Sequence, residues 1–267
     1  RESVVKDLGI PISNLMLASS HTHGAPWPYR SRVDFPGGDL IEGYLELMKG
    51  AILEASREAI ETAEDCIITF KDGRCDLAKN RNLADPANPT RYLTGYNPSN
   101  KSITDDTVMV GRVTRVSDNS IKATVVNYAC HPTTLAWENM AISPDYVGMA
   151  RILVEAETKA PMLFLQGASG ELSPRNQYSG DTGLADRNGA ILGHAILSTL
   201  KAMQSPGCGL RWNGIVESGA LLGEWHEEKV TGSSEVKEFR IDVPVRVKEW
   251  KSIEQLREEW AGIDPDA

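Results

Sequence analysis

Two short segments of the sequence hold the residue types that metal-assisted hydrolysis uses. His21 and His23 follow the apolar segment 13–19, and in a strand their side chains would point to one face, because side chains alternate with period two. His131 ends a second apolar segment, 123–129, and a proline after it stops strand pairing. Imidazoles that meet at strand ends can bind zinc, which lowers the pKa of water to about 7 and polarises a carbonyl. An HxH pair alone is as often two polar side chains at a loop mouth, so the prediction depends on all three histidines.

A loop with glycines and serines, together with an arginine, could supply polar groups to a substrate. Residues 165–175 (LQGASGELSPR) follow an apolar segment, and such a loop can bring backbone N–H groups and a hydroxyl close to a ligand. Its spacing is not that of a GxSxG nucleophile elbow, and alone it would be an ordinary glycine-rich turn. Arg81, in the polar segment KNRN, can hold a carbonyl oxygen or carboxylate, although a solvated charge is the commoner case. A nucleophilic Ser173 would need an adjacent base, for which His23 is the candidate.

The periodicity of apolar residues predicts the elements that would position these side chains. Helical spacing predicts helices, and short apolar or alternating runs predict strands. The fold class is therefore α/β, with mixed β-sheets flanked by helices. The predicted helices are 39–64, 146–158, 183–203 and 252–261, and the predicted strands are 13–19, 66–70, 107–117, 121–129, 161–166, 214–222 and 237–248. We interpret residues 80–106, rich in Asn, Pro, Asp and Thr, as a long ordered loop.

Composition excludes several classes of function. The formal net charge is -9 and no block of Lys or Arg stands out, so a nucleic-acid partner is not expected. The four cysteines form no CxxC pair, which excludes a zinc knuckle of the CxxC…CxxC type. No apolar run approaches the roughly 20 residues that a transmembrane helix requires.

Four segments, in this order, resemble the neutral (non-lysosomal) ceramidase family. That family carries Thr-His-Thr-His-Ser-Gly-Pro, Asn-Arg-Ser, His-Pro-Thr and Gly-Asp-Val-Ser-Pro-Asn. The corresponding residues here are 20–26 (SHTHGAP), 80–82 (NRN), 131–133 (HPT) and 170–175 (GELSPR). Each motif alone is weak, but four in the same order make the resemblance specific over roughly residues 1–205.

The resemblance implies an α/β catalytic domain and a role for each matching residue. His21 and His131 would be ligands of Zn²⁺. His23 would either contact the ligands without binding the ion or move protons beside the metal. Arg81 would help to hold the substrate. Ser173 would be either a nucleophile or a hydroxyl that positions the carbonyl.

Two departures from the family concern the metal and the substrate. The family's zinc also takes a Glu, from a Pro-Gly-Glu segment, and a Tyr, and no such segment occurs here. We therefore expect the remaining ligands to lie outside this segment of chain. Trp27 stands where the family has glycine, and facing the pocket it would reshape a substrate site to which Gly170 and Glu171 also contribute. The alternative is that Trp27 packs under its loop.

The sequence leaves three functions open. The first is a zinc-dependent hydrolase that cleaves the amide of ceramide or another small or lipid-like N-acyl compound. The second is a degenerate member that binds ligand without turnover, and the third is a metal-free serine hydrolase using Ser173 and His23. We expect residues 1–267 to form one catalytic-type domain, incomplete at both ends, with an internal boundary at most in the charged stretch 224–236. The compartment follows only from the resemblance, which points to a secreted or periplasmic protein, and the oligomeric state is not encoded in any motif.

Overall fold

The computed structural model describes residues 2–98, 104–235, 237, 239, 241–246 and 249–261. The chain divides into two units, residues 1–230 and 231–267. The second unit contains helix α5 (Ile253–Ala261), which agrees with the helix predicted at 252–261. Its other described residues form no regular structure. The described part of the predicted strand 237–248 is therefore not a strand here, and residues 238, 240, 247 and 248 lie outside the described residues.

The first unit is organised around a four-stranded mixed sheet, as the sequence predicted. Its strands are β1 (Cys66–Arg74), β5 (Thr107–Arg115), β6 (Ile121–Tyr128) and β7 (Met162–Gln166), in the order β1-β5-β6-β7. β1 and β6 both pair with β5 in the antiparallel sense, whereas β6 and β7 are parallel. A parallel pair requires a crossover, and helix α3 (Tyr146–Thr158) provides it.

One face of this sheet is buried against α3 and α4 (Thr182–Lys201). Val108, Val110 and Val126 point into that core and are fully buried, as are Leu192 and Ile196 of α4. The side chains on the other face remain exposed even where they are large and apolar; these are Ile68, Phe70, Met109, Leu163 and Leu165. The sheet thus has one buried and one open face within the described residues.

The two helices approach each other closely at Gly189. A Cβ built on Gly189 would lie 2.3 Å from the carbonyl oxygen of Tyr146. No side chain could occupy that space without moving one helix, because protein interiors are already close-packed. The absence of a side chain at this position therefore sets the distance between α3 and α4.

The remaining strands of the described residues form three two-stranded sheets. They are β2 (Ala78–Asn80) with β8 (Leu172–Pro174), β3 (Asn82–Asp85) with β4 (Asn88–Thr94), and β9 (Cys208–Glu217) with β10 (Leu221–Lys229). The β3–β4 hairpin lies inside the segment predicted as a long loop. Residues 214–222 were predicted as one strand but contain the turn between β9 and β10. Residues 224–229 belong to β10, so this part of the predicted connection is a paired strand.

The N-terminal part of the chain differs most from the prediction. Helix α1 (Glu2–Leu8) is followed by a 3-10 turn, Ile12–Asn14, and residues 15–20 have no regular structure. The strand predicted at 13–19 is therefore wrong. Helix α2 (Ile41–Glu61) is confirmed, but most of its side chains are exposed.

None of the described helices has the length and apolar content needed to cross a membrane.

Candidate metal centre

The rings of His21, His23 and His131 converge at one point on the surface. The Nε2 atom of His23 lies 3.0 Å from Nε2 of His21 and 3.2 Å from Nε2 of His131. One ring nitrogen from each residue falls within 4.8 Å of the others. In tetrahedral zinc sites the Zn–N distance is about 2.0–2.1 Å, which separates two ligand nitrogens by about 3.3 Å. The two printed Nε2–Nε2 separations are close to that value, so the three histidines could hold a metal ion. His23, which the sequence predicted beside the metal and not as a ligand, belongs to this cluster.

Two hydrogen bonds to Ser143, here called the clamp, hold His21 and His23 in place. Neither histidine lies in a strand. The residue between them, Thr22, donates its hydroxyl hydrogen to the carbonyl oxygen of Ser143, at 2.8 Å. The N–H of Ser143 donates to the carbonyl oxygen of Gly24, at 2.9 Å, and these two residues form an isolated β-bridge. A Cβ on Gly24 would lie 3.0 Å from the same Ser143 carbonyl oxygen. The short run Thr22–Gly24 is therefore fixed to the segment that leads into α3.

His131 is positioned by the loop that follows β7. Its backbone N–H donates to the carbonyl oxygen of Leu172, at 2.8 Å. Its ring Nδ1 lies 3.3 Å from the carbonyl oxygen of Ser169, which can only accept a hydrogen bond. That contact favours the tautomer with the proton on Nδ1, leaving the Nε2 lone pair directed at the other two histidines.

Asp145 connects the segment after His131 to the start of α3. Helix α3 begins at Tyr146, and Asp145 is its N-cap. The buried Asp145 carboxylate accepts hydrogen bonds from the N–H groups of Tyr146, at 2.6 Å, and Leu135, at 2.9 Å. Its backbone is in an unusual conformation, with φ 56° and ψ -148°, and such strain persists only where surrounding contacts impose it. A polar residue directly before an apolar helix was the available sequence signal for this role.

The electrostatic environment lowers the pKa of two of the three histidines, His23 and His131. Burial, followed by the charge of Arg81, lowers the pKa of His131 to about 4. Burial also lowers the pKa of His23, with smaller contributions from the charges of His21 and Arg81. A neutral imidazole is the form that can bind a metal.

Arg81 and the loop containing Gly170 and Glu171 lie together beside the histidines. The backbone N–H of Arg81 donates to the carbonyl oxygen of Glu171, at 2.8 Å, and its side-chain Nε donates to that of Gly170, at 3.0 Å. Both loop residues are exposed, and a Cβ on Gly170 would meet no atom within 4 Å. The space above this loop is therefore open to a ligand.

Ser173 occupies a different environment from the rest of the candidate site. It lies in β8 opposite Lys79, and it is only 1% exposed. Its hydroxyl has no hydrogen-bond partner among the described residues. The preceding residue, Leu172, is the one whose carbonyl contacts His131. Ser173 is thus next to the site along the chain, and its hydroxyl makes no hydrogen bond to His23.

Trp27 faces a cavity of about 420 Å³ that begins three residues after His23. The cavity is lined mainly by apolar and aromatic side chains. Trp27 is 58% exposed. Its indole contacts the ring of Tyr29 and the guanidinium of Arg32. It therefore contributes to a cavity wall instead of packing under its loop.

Comparison with known proteins agrees with the fold and the order of the motifs. Residues 10–180 match the family described as neutral/alkaline non-lysosomal ceramidase, N-terminal. A search of curated protein sequences finds no match. The fold is similar to that of a solved ceramidase described as complexed with C2, with a TM-score of 0.59 and 16% identity over 80% of this chain and 36% of that one. It is also similar to the neutral ceramidase from Pseudomonas aeruginosa, with a TM-score of 0.58 and 17% identity over 80% of this chain and 37% of that one. The chain thus spans little more than a third of the length of these two proteins.

Proposed function

The chain belongs to the neutral/alkaline non-lysosomal ceramidase family, and from that premise we propose that it forms the histidine-bearing part of a zinc-dependent amide hydrolase. The substrate would be an N-acyl compound, ceramide or a related amide. The observation that carries this proposal is the convergence of three ring nitrogens from His21, His23 and His131 within 4.8 Å. Three histidines with an open fourth position are a known ligand set of catalytic zinc.

The histidines would hold the metal with their Nε2 atoms directed inward. When bound, a zinc ion supplies a Lewis acid that polarises the amide carbonyl and lowers the pKa of water. His131 is oriented for this by its Nδ1 contact with Ser169. His23 either completes the ligand set or, as the family resemblance implies, transfers a proton to the leaving amine.

Arg81 is the group on this chain best suited to stabilise negative charge on the carbonyl oxygen. Its Nε is already engaged by the carbonyl of Gly170, which orients the guanidinium while its terminal nitrogens can donate to a substrate. Its charge also lies close enough to the histidines to lower the pKa of His23 and His131. Donors fixed in place before the reaction lower the barrier because they do not need to reorganise.

The metal-free serine mechanism has less support than the metal mechanism. It requires a hydrogen bond between the Ser173 hydroxyl and the His23 imidazole. Instead, Nε2 of His23 faces the other two histidines, and the buried Ser173 hydroxyl has no partner among the described residues. A degenerate member would keep the same cleft and bind ligand without turnover.

The decisive experiment measures metal content and amide hydrolysis on the same protein preparations. The variants are His21→Ala, His23→Ala and His131→Ala, with His226→Ala as the matched control, because His226 is exposed on β10. Metal is quantified after dialysis, and Co²⁺ loading is followed by its visible absorption spectrum. Hydrolysis of a short-chain ceramide and of a simple N-acyl amine is assayed before and after chelation.

Each outcome selects one interpretation. If all three variants lose metal and the control does not, the three histidines are ligands. If only His21→Ala and His131→Ala lose metal while His23→Ala loses activity alone, His23 is the proton-transfer group. Hydrolysis that survives chelation would support the serine mechanism, and the absence of both bound metal and hydrolysis would support the degenerate member. Metal content unchanged in all variants would refute the metal centre.

A further inference from the structure

The cavity that starts at Pro26 is large enough to hold a small molecule. Its walls come from the segment between the histidines and the first turns of α2, including Trp27, Phe35, Ile41 and Tyr44. At about 420 Å³ its volume is within the range of small-molecule sites, roughly 300–1,000 Å³. Walls of this composition suit an apolar or aromatic group.

One cation lies in this apolar wall. The guanidinium carbon of Arg32 is 4.6 Å from the ring centroid of Trp27 and 4.8 Å from that of Phe35. These contacts involve the flat faces of the guanidinium, so its N–H donors, which lie in its plane, stay available. No carboxylate among the described residues forms an ion pair with Arg32.

Arg30, two residues earlier, provides an internal contrast. It makes two hydrogen bonds to the carboxylate of Glu42, at 2.6 and 3.1 Å, and it does not line the cavity. The same segment thus holds Arg30, which forms an ion pair with a carboxylate, and Arg32, which forms none with the described residues. The donors of Arg32 fit a carboxylate that is not part of the described chain.

The cavity is close to the histidines along the chain. Pro26 follows His23 by three positions, and three residues span at most about 10 Å. An amide bond at the histidines and an apolar group in the cavity can therefore belong to one small molecule.

We propose that the cavity binds the apolar side chain of an N-acylated amino acid, and that Arg32 binds its α-carboxylate. In such a compound the side chain and the carboxylate are carried by the same carbon, next to the amide nitrogen, which matches a cation set in an apolar wall. A neutral amide would leave the charge of Arg32 unpaired. What happens to the amide rests on the proposed hydrolase function, whereas binding does not.

Binding is tested with this chain in the presence of a chelator, so that hydrolysis cannot interfere. The probes are N-octanoyl-L-phenylalanine and its methyl ester, which differ in the negative charge, and affinity is measured by isothermal titration calorimetry. The carboxylate is expected to bind about tenfold more tightly than the ester or better, because a hydrogen bond to a charged group contributes about that factor. The preference should decrease as salt is added.

Variants test whether the preference for the acid over the ester depends on Arg32. Arg32→Gln should abolish the preference, and Arg32→Lys should retain part of it, since the charge remains and the planar contact is lost. Arg30→Gln removes the same charge from the same segment and should retain the full preference. Equal affinity for acid and ester, or a preference that survives Arg32→Gln, would overturn the proposal. Matching thermal unfolding of the variants shows that each is folded.

Hydrolysis of the same acid by the zinc-loaded chain separates this proposal from the proposed function. Selective binding without hydrolysis leaves the cavity assignment standing and counts against the hydrolase. Hydrolysis of simple N-acyl amines without selective binding of the acid supports the hydrolase and refutes the role of Arg32.

Discussion

Acid should destabilise the metal-free chain through His131, and the effect can be calculated from its environment. The native-state pKa of His131 is about 4, below its ordinary value of 6.5, because the ring is partly buried and lies near Arg81. As the pH falls, the unfolded chain therefore takes up a proton before the native chain does. The stability that the neutral ring contributes is complete above pH 6.5 and is lost as the pH falls towards 4.

The size of the effect follows from the interval between the two pKa values. Each pH unit within that interval is equivalent to about 1.36 kcal/mol. Between pH 7.5 and pH 5.0 the contribution of His131 to the free energy of unfolding should fall by about 2 kcal/mol. The ring is only partly buried, so this value is the upper end of the expected range.

Urea unfolding in the presence of a chelator, at pH 7.5 and pH 5.0, measures this quantity. His131→Gln retains a donor for the carbonyl of Ser169 and cannot titrate, so it should lose up to about 2 kcal/mol less than the wild type over this range. Comparing the two proteins cancels the contributions of other groups. His226→Gln, at an exposed position of β10, is the control and should behave as the wild type. Equal losses in the wild type and His131→Gln would refute the electrostatic argument.

Three further perturbations test the fold and the site. Gly189→Ala would place a Cβ 2.3 Å from the Tyr146 carbonyl oxygen and should lower the free energy of unfolding by about 1–3 kcal/mol. The control is Gly43→Ala in α2, where the new Cβ would meet no atom within 4 Å. It should leave the free energy of unfolding unchanged or raise it by up to about 1 kcal/mol. Equal effects in urea unfolding would contradict the close approach of α3 and α4. Asp145→Ala removes a buried acceptor of two backbone N–H groups, so it should cost about 2 kcal/mol or more and weaken Co²⁺ binding measured by absorption. Arg81→Gln should reduce kcat for amide hydrolysis by about 100-fold with metal content unchanged, and a loss of metal instead would assign Arg81 a structural role.

The central part of the fold could be predicted because its patterns are local. The apolar runs of β6 and β7 and the helical spacing of α3 and α4 specify the elements that form the buried face. The bounds of α3, Tyr146–Thr158, agree with the predicted ones. These segments bury their apolar side chains in the way that their periodicity indicates.

The prediction failed where an element depends on its partners. Residues 13–19 are apolar enough for a buried strand, but no strand among the described residues pairs with them. The bridge between Gly24 and Ser143 lies after this segment. The β3–β4 hairpin was missed because its composition is typical of a loop. Its turn is held by the ion pair between Asp85 and Arg91, a contact between side chains that single-residue propensities do not reveal.

The same contrast between local patterns and contacts of distant residues applies to the candidate site. The residue types and the order of the motifs were sufficient to select His21, His23 and His131. The 3.2 Å separation between Nε2 of His23 and Nε2 of His131 depends on the hydrogen bond between Thr22 and Ser143. No local pattern could have predicted a contact between residues 121 positions apart in the chain.

The separation of the histidines along the chain has a consequence for folding. His23 and His131 are 108 residues apart, so an ion bound to both would act as a cross-link that closes a loop of that length. A covalent cross-link over about 100 residues is worth about 4–5 kcal/mol of chain entropy in the unfolded state. An ion that binds only the native chain adds about 2.7 kcal/mol at a hundredfold excess over its Kd. An ion bound by these histidines would therefore also hold the N-terminal segment against the sheet. The melting temperature of the chain would rise with the concentration of free metal.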